Sequence, residues 1–131
     1  MAEIKSDEEF NNINEVKVVC DLNRNLLYLS REPIPSGRKP IPSGRKTNSY
    51  DFQRYRHIGV YAFKKDSLSL FGQWGPSPHE SIEQVDMIRF LEHGHPVRMI
   101  VSPFSSIGVD TPEDLQIAVD LMKKDYLFGS Y

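Results

Sequence analysis

The nine residues 107–115, with the sequence IGVDTPEDL, constrain the fold more than any other stretch of this chain. Ile107 and Val109 are β-branched and favour a strand, and Gly108 between them has no side chain to block a close approach. Thr111 is a good helix N-cap, and the proline after it suits the first helical position, where no N–H is needed. The pattern predicts a strand, a tight turn and a helix that begins at Thr111.

Asp110 is the acid in this stretch that helix capping does not explain. Asp114 stands three residues after the cap, where a capping-box acid belongs, and Glu113 favours the positive end of the helix dipole. Asp110 precedes the cap at the carboxyl end of the predicted strand, where α/β sheets place ligands. These residues alone leave two readings open, a further capping acid or a ligand-binding carboxylate, and caps are the commoner of the two.

The composition indicates one globular domain of 131 residues with a modest core. The formal net charge of −2 gives no basic excess for nucleic acid or an anionic membrane, so neither is expected as a partner. A single cysteine, Cys20, excludes an intrachain disulfide, and no apolar run approaches a membrane span. A cytoplasmic protein is expected, with residues 1–14 frayed or weakly helical.

Strand and helix patterns alternate along the chain. Residues 16–20 and 26–30 are apolar and rich in β-branched or aromatic side chains around a polar turn, which predicts a hairpin. Further elements are predicted as helices at 64–71, 78–93 and 111–124 and a strand at 97–101. The helix at 111–124 is expected to turn Leu115, Val119 and Met122 inward. In the helix at 78–93, Ser77 and Glu80 form a capping box, and Glu80, Glu83 and Asp86 indicate a solvated face.

Residues 55–63, with the sequence YRHIGVYAF, form the strongest predicted strand. Apolar residues at Ile58, Val60 and Ala62 alternate with the others, so one face is expected in the core. The other face presents His57 and Tyr61 on either side of a glycine, and a glycine within a strand marks a bulge or a close ligand. His57 is either a structural, hydrogen-bonded histidine or part of a site.

The heptapeptide PIPSGRK occupies residues 33–39 and recurs unchanged at 40–46. Its prolines, glycine and serine predict a duplicated loop, since seven residues are too few for a solenoid repeat. The loop carries two Arg-Lys pairs, so it is either a solvated basic loop or one that contacts an anion.

Taken in order, the blocks VKVV, LLYLSR, PIP, YRHIGVYAF, PSP and IGVDTPEDL resemble the C-terminal half of the 3-deoxy-manno-octulosonate cytidylyltransferase (CMP-KDO synthetase) family. The resemblance runs from about Phe10 to Lys124, and the spacing agrees except at the duplicated loop. It implies an α/β fold of the Rossmann-like, nucleotide-diphospho-sugar transferase type, with a mixed sheet and about three helices. It also implies CTP-dependent activation of an eight-carbon acid sugar for lipopolysaccharide.

The resemblance implies roles for individual residues. Asp110 matches the second of two aspartates that hold the catalytic Mg²⁺. His57 and Tyr61 match residues that contact the acid sugar, and Asp86 stands, one methylene shorter, where the family has a sugar-contacting glutamate.

Two loop arginines near the sugar and phosphates are matched by Arg31 and Arg38. The duplication leaves Arg38 and Arg45 as alternatives for the second position. No catalytic residue is assigned.

The family's triphosphate-gripping loop, cytosine pocket and Gln-Gly-Asp-Glu-Pro block do not occur in this sequence. We therefore expect the sugar-binding and dimerisation half of a cytidylyltransferase, without the nucleotide-binding half, inactive alone and homodimeric. The alternatives are a non-catalytic dimerising or ligand-binding module and one subunit of a split nucleotidyltransferase.

Overall fold

A computed structural model describes residues 1–36, 53–104, 108–109 and 111–130. The strands are β1 Ala2–Glu3, β2 Lys17–Cys20, β3 Leu26–Ser30 and β4 Tyr55–Arg56. They form one sheet in the order β1-β4-β2-β3, with every pair antiparallel. The helices are α1 Asp7–Asn11, α2 Lys65–Gln73, α3 Pro78–Glu83, α4 Ile88–Glu92 and α5 Pro112–Met122. The predicted α/β class is confirmed. In the described part of the chain the sheet is antiparallel, whereas a mixed sheet was expected. That part has five helices where about three were expected, and two of them, α3 and α4, come from the segment 78–93 that was predicted as one helix.

The predicted hairpin is confirmed as β2 and β3. Val18 pairs with Leu29 across it, and both side chains are buried. Asp21 closes the turn, because its carboxylate accepts hydrogen bonds from the backbone N–H groups of Asn23 and Asn25, each at 2.8 Å. The turn therefore fixes the register by an Asx-type bond of the kind that aspartate favours.

The core lies between the β2–β3 hairpin and the segment that carries α3 and α4. Both contribute fully or nearly fully buried apolar side chains. The hairpin supplies Val18, Leu26 and Leu29, the helical segment supplies Val85, Met87, Ile88 and Phe90, and Met1 and Met99 join the core from outside both. Phe90 also joins an aromatic cluster, stacked on Phe71 at 5.2 Å and edge-on to Trp74 at 5.5 Å between ring centroids.

Of the two alternatives predicted for residues 1–14, a helix is confirmed as α1, and fraying is wrong. Met1, Ile4 and Phe10 are buried, and β1 pairs with β4. Ser6 caps α1 by accepting the N–H of Glu9 at 3.0 Å. Although residues 1–14 are acidic overall, they include these three apolar residues. Burial of their side chains outweighs the conformational entropy lost when the segment becomes ordered.

Residues 55–63 are a strand only at Tyr55–Arg56, so the long strand is wrong for the described structure. β4 pairs with β2 over two residues, and the chain then extends past the sheet, leaving Val60 80% exposed. Ala62 is exposed as well. The predicted strand at 97–101 is reduced to one bridge, between Asn25 and Arg98. The apolar pattern is present in both segments. Among the described residues no strand pairing continues past Arg56, and residues 97–102 make separate backbone hydrogen bonds to Arg24, Leu26 and Met1 in place of a continuous ladder.

The predicted helix at 78–93 is two helices. Gln84 has a left-handed backbone, with φ 55°, which ends α3, and α4 begins at Ile88. The solvated face is also wrong, because Glu80 is buried and Glu83 is half-buried, while Asp86 alone is exposed.

The last predicted helix is confirmed as α5. Thr111 accepts the N–H of Asp114 at 3.2 Å and donates its own N–H to that carboxylate at 3.0 Å, as a capping box does. The inward face predicted for α5 is wrong in this structure, because Leu115 and Met122 are more than half exposed and Val119 is 37% exposed. No helix in the described residues is long and apolar enough to span a membrane.

Candidate functional site

A cavity of about 710 Å³ opens where the hairpin, the segment after β4 and the break between α3 and α4 meet. Loops and element ends supply its walls, as is common for binding sites. The lining residues are Ile13, Asn14, Glu15, Val16, Arg31, Arg56, His57, Ile58, Gly59, Gln84 and Gly108. Two of the predicted substrate-binding residues, Arg31 and His57, therefore line the same cavity.

Arg31 follows directly after β3 and is fixed by several hydrogen bonds. Its Nε donates to the backbone carbonyl of Glu83 at 2.9 Å, and its Nη1 donates to the carbonyls of Ile13 and Asn14 at 3.2 and 3.4 Å. Within the described residues no partner is found for Nη2. The guanidinium thus keeps a donor with which a ligand carboxylate can bond.

His57 follows directly after β4, and its backbone N–H donates to Val16 at 2.8 Å. Burial, followed by the charge of the chain's amino terminus, lowers the pKa of the imidazole below its ordinary 6.5. Its Nε2 is buried and has no hydrogen-bond partner among the described groups. A neutral imidazole with an unpaired buried nitrogen can donate to or accept from a ligand hydroxyl, depending on its tautomer.

Tyr61 lies beside His57, with ring centroids 5.2 Å apart and the planes tilted by 33°. Burial, with a smaller contribution from Asp86, raises the pKa of the phenol to about 12, so it is neutral at physiological pH. Both rings also line a second, more apolar cavity of about 720 Å³. His57 and Ile58 thus line both cavities.

Asp86 is exposed and lines neither cavity. Its charge acts on Tyr61 and on Arg89, so it lies near the tyrosine without facing the wall that holds Arg31. The structure therefore brings Arg31 and His57 to the first cavity and His57 and Tyr61 to the second, and it leaves Asp86 outside both.

Arg38 and Asp110 lie outside the described residues, as does Arg45. Gly108, two residues before Asp110 in the sequence, lines the first cavity. Among the described residues no cluster of three His, Cys, Asp or Glu side chains could hold a metal ion.

The sequence did not predict two polar residues that bond to Arg31, Lys17 and Glu83. Lys17 is fully buried in β2, and Glu83 ends α3 and bonds to β3. The one available signal was a lysine within the apolar run VKVV, since a buried lysine needs partners that replace water.

A cytidylyltransferase family model matches residues 1–102, and the chain belongs to that family. Within the family, it is 36% identical over 124 residues to the 3-deoxy-manno-octulosonate cytidylyltransferase of Geobacter metallireducens, covering 92% of this chain and 48% of the relative. It is 37% identical over 115 residues to the 8-amino-3,8-dideoxy-manno-octulosonate cytidylyltransferase of Shewanella pealeana, covering 88% and 43%. The resemblance predicted from the sequence is confirmed.

A solved structure agrees with these relatives. The CMP:2-keto-3-deoxy-manno-octonic acid synthetase in complex with CTP superposes with a TM-score of 0.77 at 30% identity, covering 94% of this chain and 47% of that one. The predicted fold type is confirmed. The chain spans about half the length of the relatives it matches.

Proposed function

We propose that this chain provides the acid-sugar-binding part of a cytidylyltransferase of the CMP-KDO synthetase type. The observation that carries the proposal is the presence of Arg31 and His57 in the wall of one cavity. In this assignment Arg31 binds the sugar carboxylate through a charge-assisted hydrogen bond, and His57 bonds a hydroxyl through Nε2. The ligand class is a 3-deoxy-octulosonic acid, the part that the names of both relatives share.

Three further residues are assigned to the same ligand. Tyr61 presents a neutral phenol beside His57, which supports a hydroxyl contact. Arg38 and Asp86 are carried over from the resemblance as a second anion contact and a peripheral sugar contact.

Asp110 is proposed as a ligand of Mg²⁺, again from the resemblance. The described residues supply no metal cluster, so their geometry does not test the fit. One carboxylate suits Mg²⁺ only with water and substrate phosphates completing the octahedron, and Mg²⁺ bound there would neutralise phosphate charge.

By itself the chain is proposed to bind the sugar without turnover. It lacks the sequence blocks by which the family grips CTP, and about half of each relative lies outside the match. That same half-length match favours a second candidate, one subunit of a split nucleotidyltransferase. A non-catalytic ligand-binding module is the remaining alternative.

Calorimetric titration with 3-deoxy-manno-octulosonate tests the assignment. We expect the chain to bind the sugar, and Arg31→Gln and His57→Gln each to weaken binding about tenfold, since each removes one polar contact. Lys5→Gln, an exposed cation outside the cavity, is the matched control and should bind as the parent does. Equal affinity in Arg31→Gln and the parent would show that the sugar binds elsewhere or without this contact.

Incubation with CTP, Mg²⁺ and the sugar, followed by pyrophosphate detection, tests the statement about activity. No turnover is expected from the chain alone. Turnover that Asp110→Asn abolishes would refute the proposed inactivity and show that the reaction requires the Asp110 carboxylate.

A further inference from the structure

The backbone of Arg31 is held on both sides by ionic side chains that lie behind the cavity wall. Its N–H donates to the Glu83 carboxylate at 2.9 Å, and its carbonyl accepts from the Lys17 ammonium. The Nε of Arg31 returns to the Glu83 backbone carbonyl at 2.9 Å. Three of the polar groups of Arg31 are therefore fixed by two residues.

Lys17 joins this arginine to the facing loop. Its fully buried ammonium also donates to the carbonyls of Asn12 at 2.8 Å and Glu15 at 2.7 Å. Three N–H donors meet three carbonyls, so the ammonium is satisfied without water. Among the described residues no carboxylate lies within ion-pair distance of it. A buried charge that is bonded only to backbone carbonyls of separate segments fixes the positions of those segments.

Glu83 completes the arrangement from the helix side. One carboxylate oxygen accepts the Ser30 hydroxyl at 2.8 Å and the other accepts the Arg31 N–H, so the last residue of α3 is tied to the end of β3. Residues 12–15, the end of β3 and the end of α3 thus converge on Arg31. The loop carbonyls of Ile13 and Asn14 that accept Arg31 Nη1 belong to the segment that Lys17 holds.

We propose that Lys17 and Glu83 are positioning residues that hold Arg31 in the orientation the acid sugar requires. The identity of the ligand in this proposal rests on the proposed function. The arrangement of Lys17, Glu83 and Arg31 does not depend on it. An unheld arginine loses rotamer freedom when a ligand orders it, whereas a pre-ordered one has already lost it on folding. Both residues act on ligand affinity through Arg31, and neither lines the cavity.

A double-mutant cycle for 3-deoxy-manno-octulosonate binding tests this coupling. Lys17→Met removes the ammonium but keeps the stem, and we expect it to weaken binding about tenfold. In the Arg31→Ala background the same substitution is expected to change affinity less than twofold, because the residue through which it acts is gone. Lys5→Met, the same change at an exposed lysine, is the control. Equal losses in both backgrounds would overturn the proposal, since a general loss of structure acts with or without Arg31.

A ligand-free measurement separates this proposal from the proposed function. In the unliganded chain, NMR follows exchange of the Arg31 Nε proton with water and, as a core reference, the Leu29 amide. Lys17→Met and Glu83→Ala should each speed exchange of the Arg31 proton about tenfold while the Leu29 amide stays protected. That result without sugar binding would support the positioning role and refute the proposed function. An unchanged Arg31 proton in Glu83→Ala, which stands in if Lys17→Met does not fold, would overturn the positioning role whatever the sugar does.

Discussion

At the scale of single residues, burial acts on two ionisable groups with opposite results. Glu80 is buried but is compensated, because Arg89 donates to its carboxylate through Nε at 2.7 Å and through Nη2, and the Ser77 N–H adds a bond at 2.9 Å. His57 has no such compensation at Nε2. A satisfied buried charge supports the local structure, whereas an unsatisfied buried nitrogen is a cost that a ligand can remove.

Replacing Glu80 by Gln is expected to lower the free energy of unfolding by about 3 kcal/mol, because the Arg89 charge stays buried without its partner. The hydrogen bond from Arg89 lowers the pKa of Glu80 below its ordinary 4.5. The unfolded chain therefore binds the proton first, and this stabilisation is lost as the pH falls from about 4.5 through the folded-state pKa. Denaturant unfolding from pH 3 to pH 7 measures both effects. Glu8→Gln, an exposed acid, is the control, and a similar loss there would contradict this account.

The lowered pKa of His57 predicts that the free energy of unfolding falls as the pH falls, as for Glu80 but at a higher pH. Below about pH 6.5 the unfolded chain protonates this imidazole before the folded chain does, so the free energy of unfolding should fall as the pH drops from 7.5 to 5.5. His57→Gln should reduce that slope, as measured by denaturant unfolding across this range. Leu22→Gln, at an exposed residue that does not titrate, should not. An unchanged slope in His57→Gln would mean that the imidazole titrates alike in both states.

At the scale of elements, the sequence predicted the helix starts and turns that are stabilised by contacts between residues close in sequence. Thr111 with Asp114 gave the start of α5, and Asp21 with its neighbours gave the hairpin turn, because caps and turns satisfy their own backbone groups. Arg31 and His57 were found because the family resemblance placed them. Lys17 was not, since its partners are backbone carbonyls, in the loop just before it and at Arg31 after the hairpin, and a residue pattern does not mark such acceptors. The break at Gln84 was missed because glutamine is a good helix former.

Replacing Gln84 by Gly tests whether that break is inherent in the fold. Gln84 has a left-handed backbone that glycine adopts without penalty, so Gln84→Gly is expected to raise the free energy of unfolding by about 0.5–1 kcal/mol. Gln73→Gly, the same change at the last residue of α2, should lower it by a similar amount. Denaturant unfolding of both variants provides the measurement. A loss of stability in both would indicate that residue 84 is helical in solution.

At the scale of the whole molecule, apolar surface exceeds what the described helices cover. Val60 is 80% exposed and Ile100 is 77% exposed, on the two extended segments that flank the second cavity. α5 adds Leu115 and Ile117, each about half exposed. Val60 and Ile100 line the same cavity, and exposed apolar surface gathered in this way marks an interaction site more often than a free surface.

We expect a homodimer at micromolar concentration, because two copies paired about a twofold axis would each bury this apolar patch against the other. An interface of ordinary size buries about 1,600 Å² in total, enough for stable association when its centre is apolar. Sedimentation velocity over a concentration series measures the assembly. Val60→Lys and Ile100→Lys should each weaken it at least tenfold, since each places a charge within that centre. Leu22→Lys, at a fully exposed leucine in the hairpin turn, should leave it unchanged. A chain that stays monomeric at high concentration, or a dimer that Leu22→Lys weakens as much as the other two, would show that this patch is not the interface.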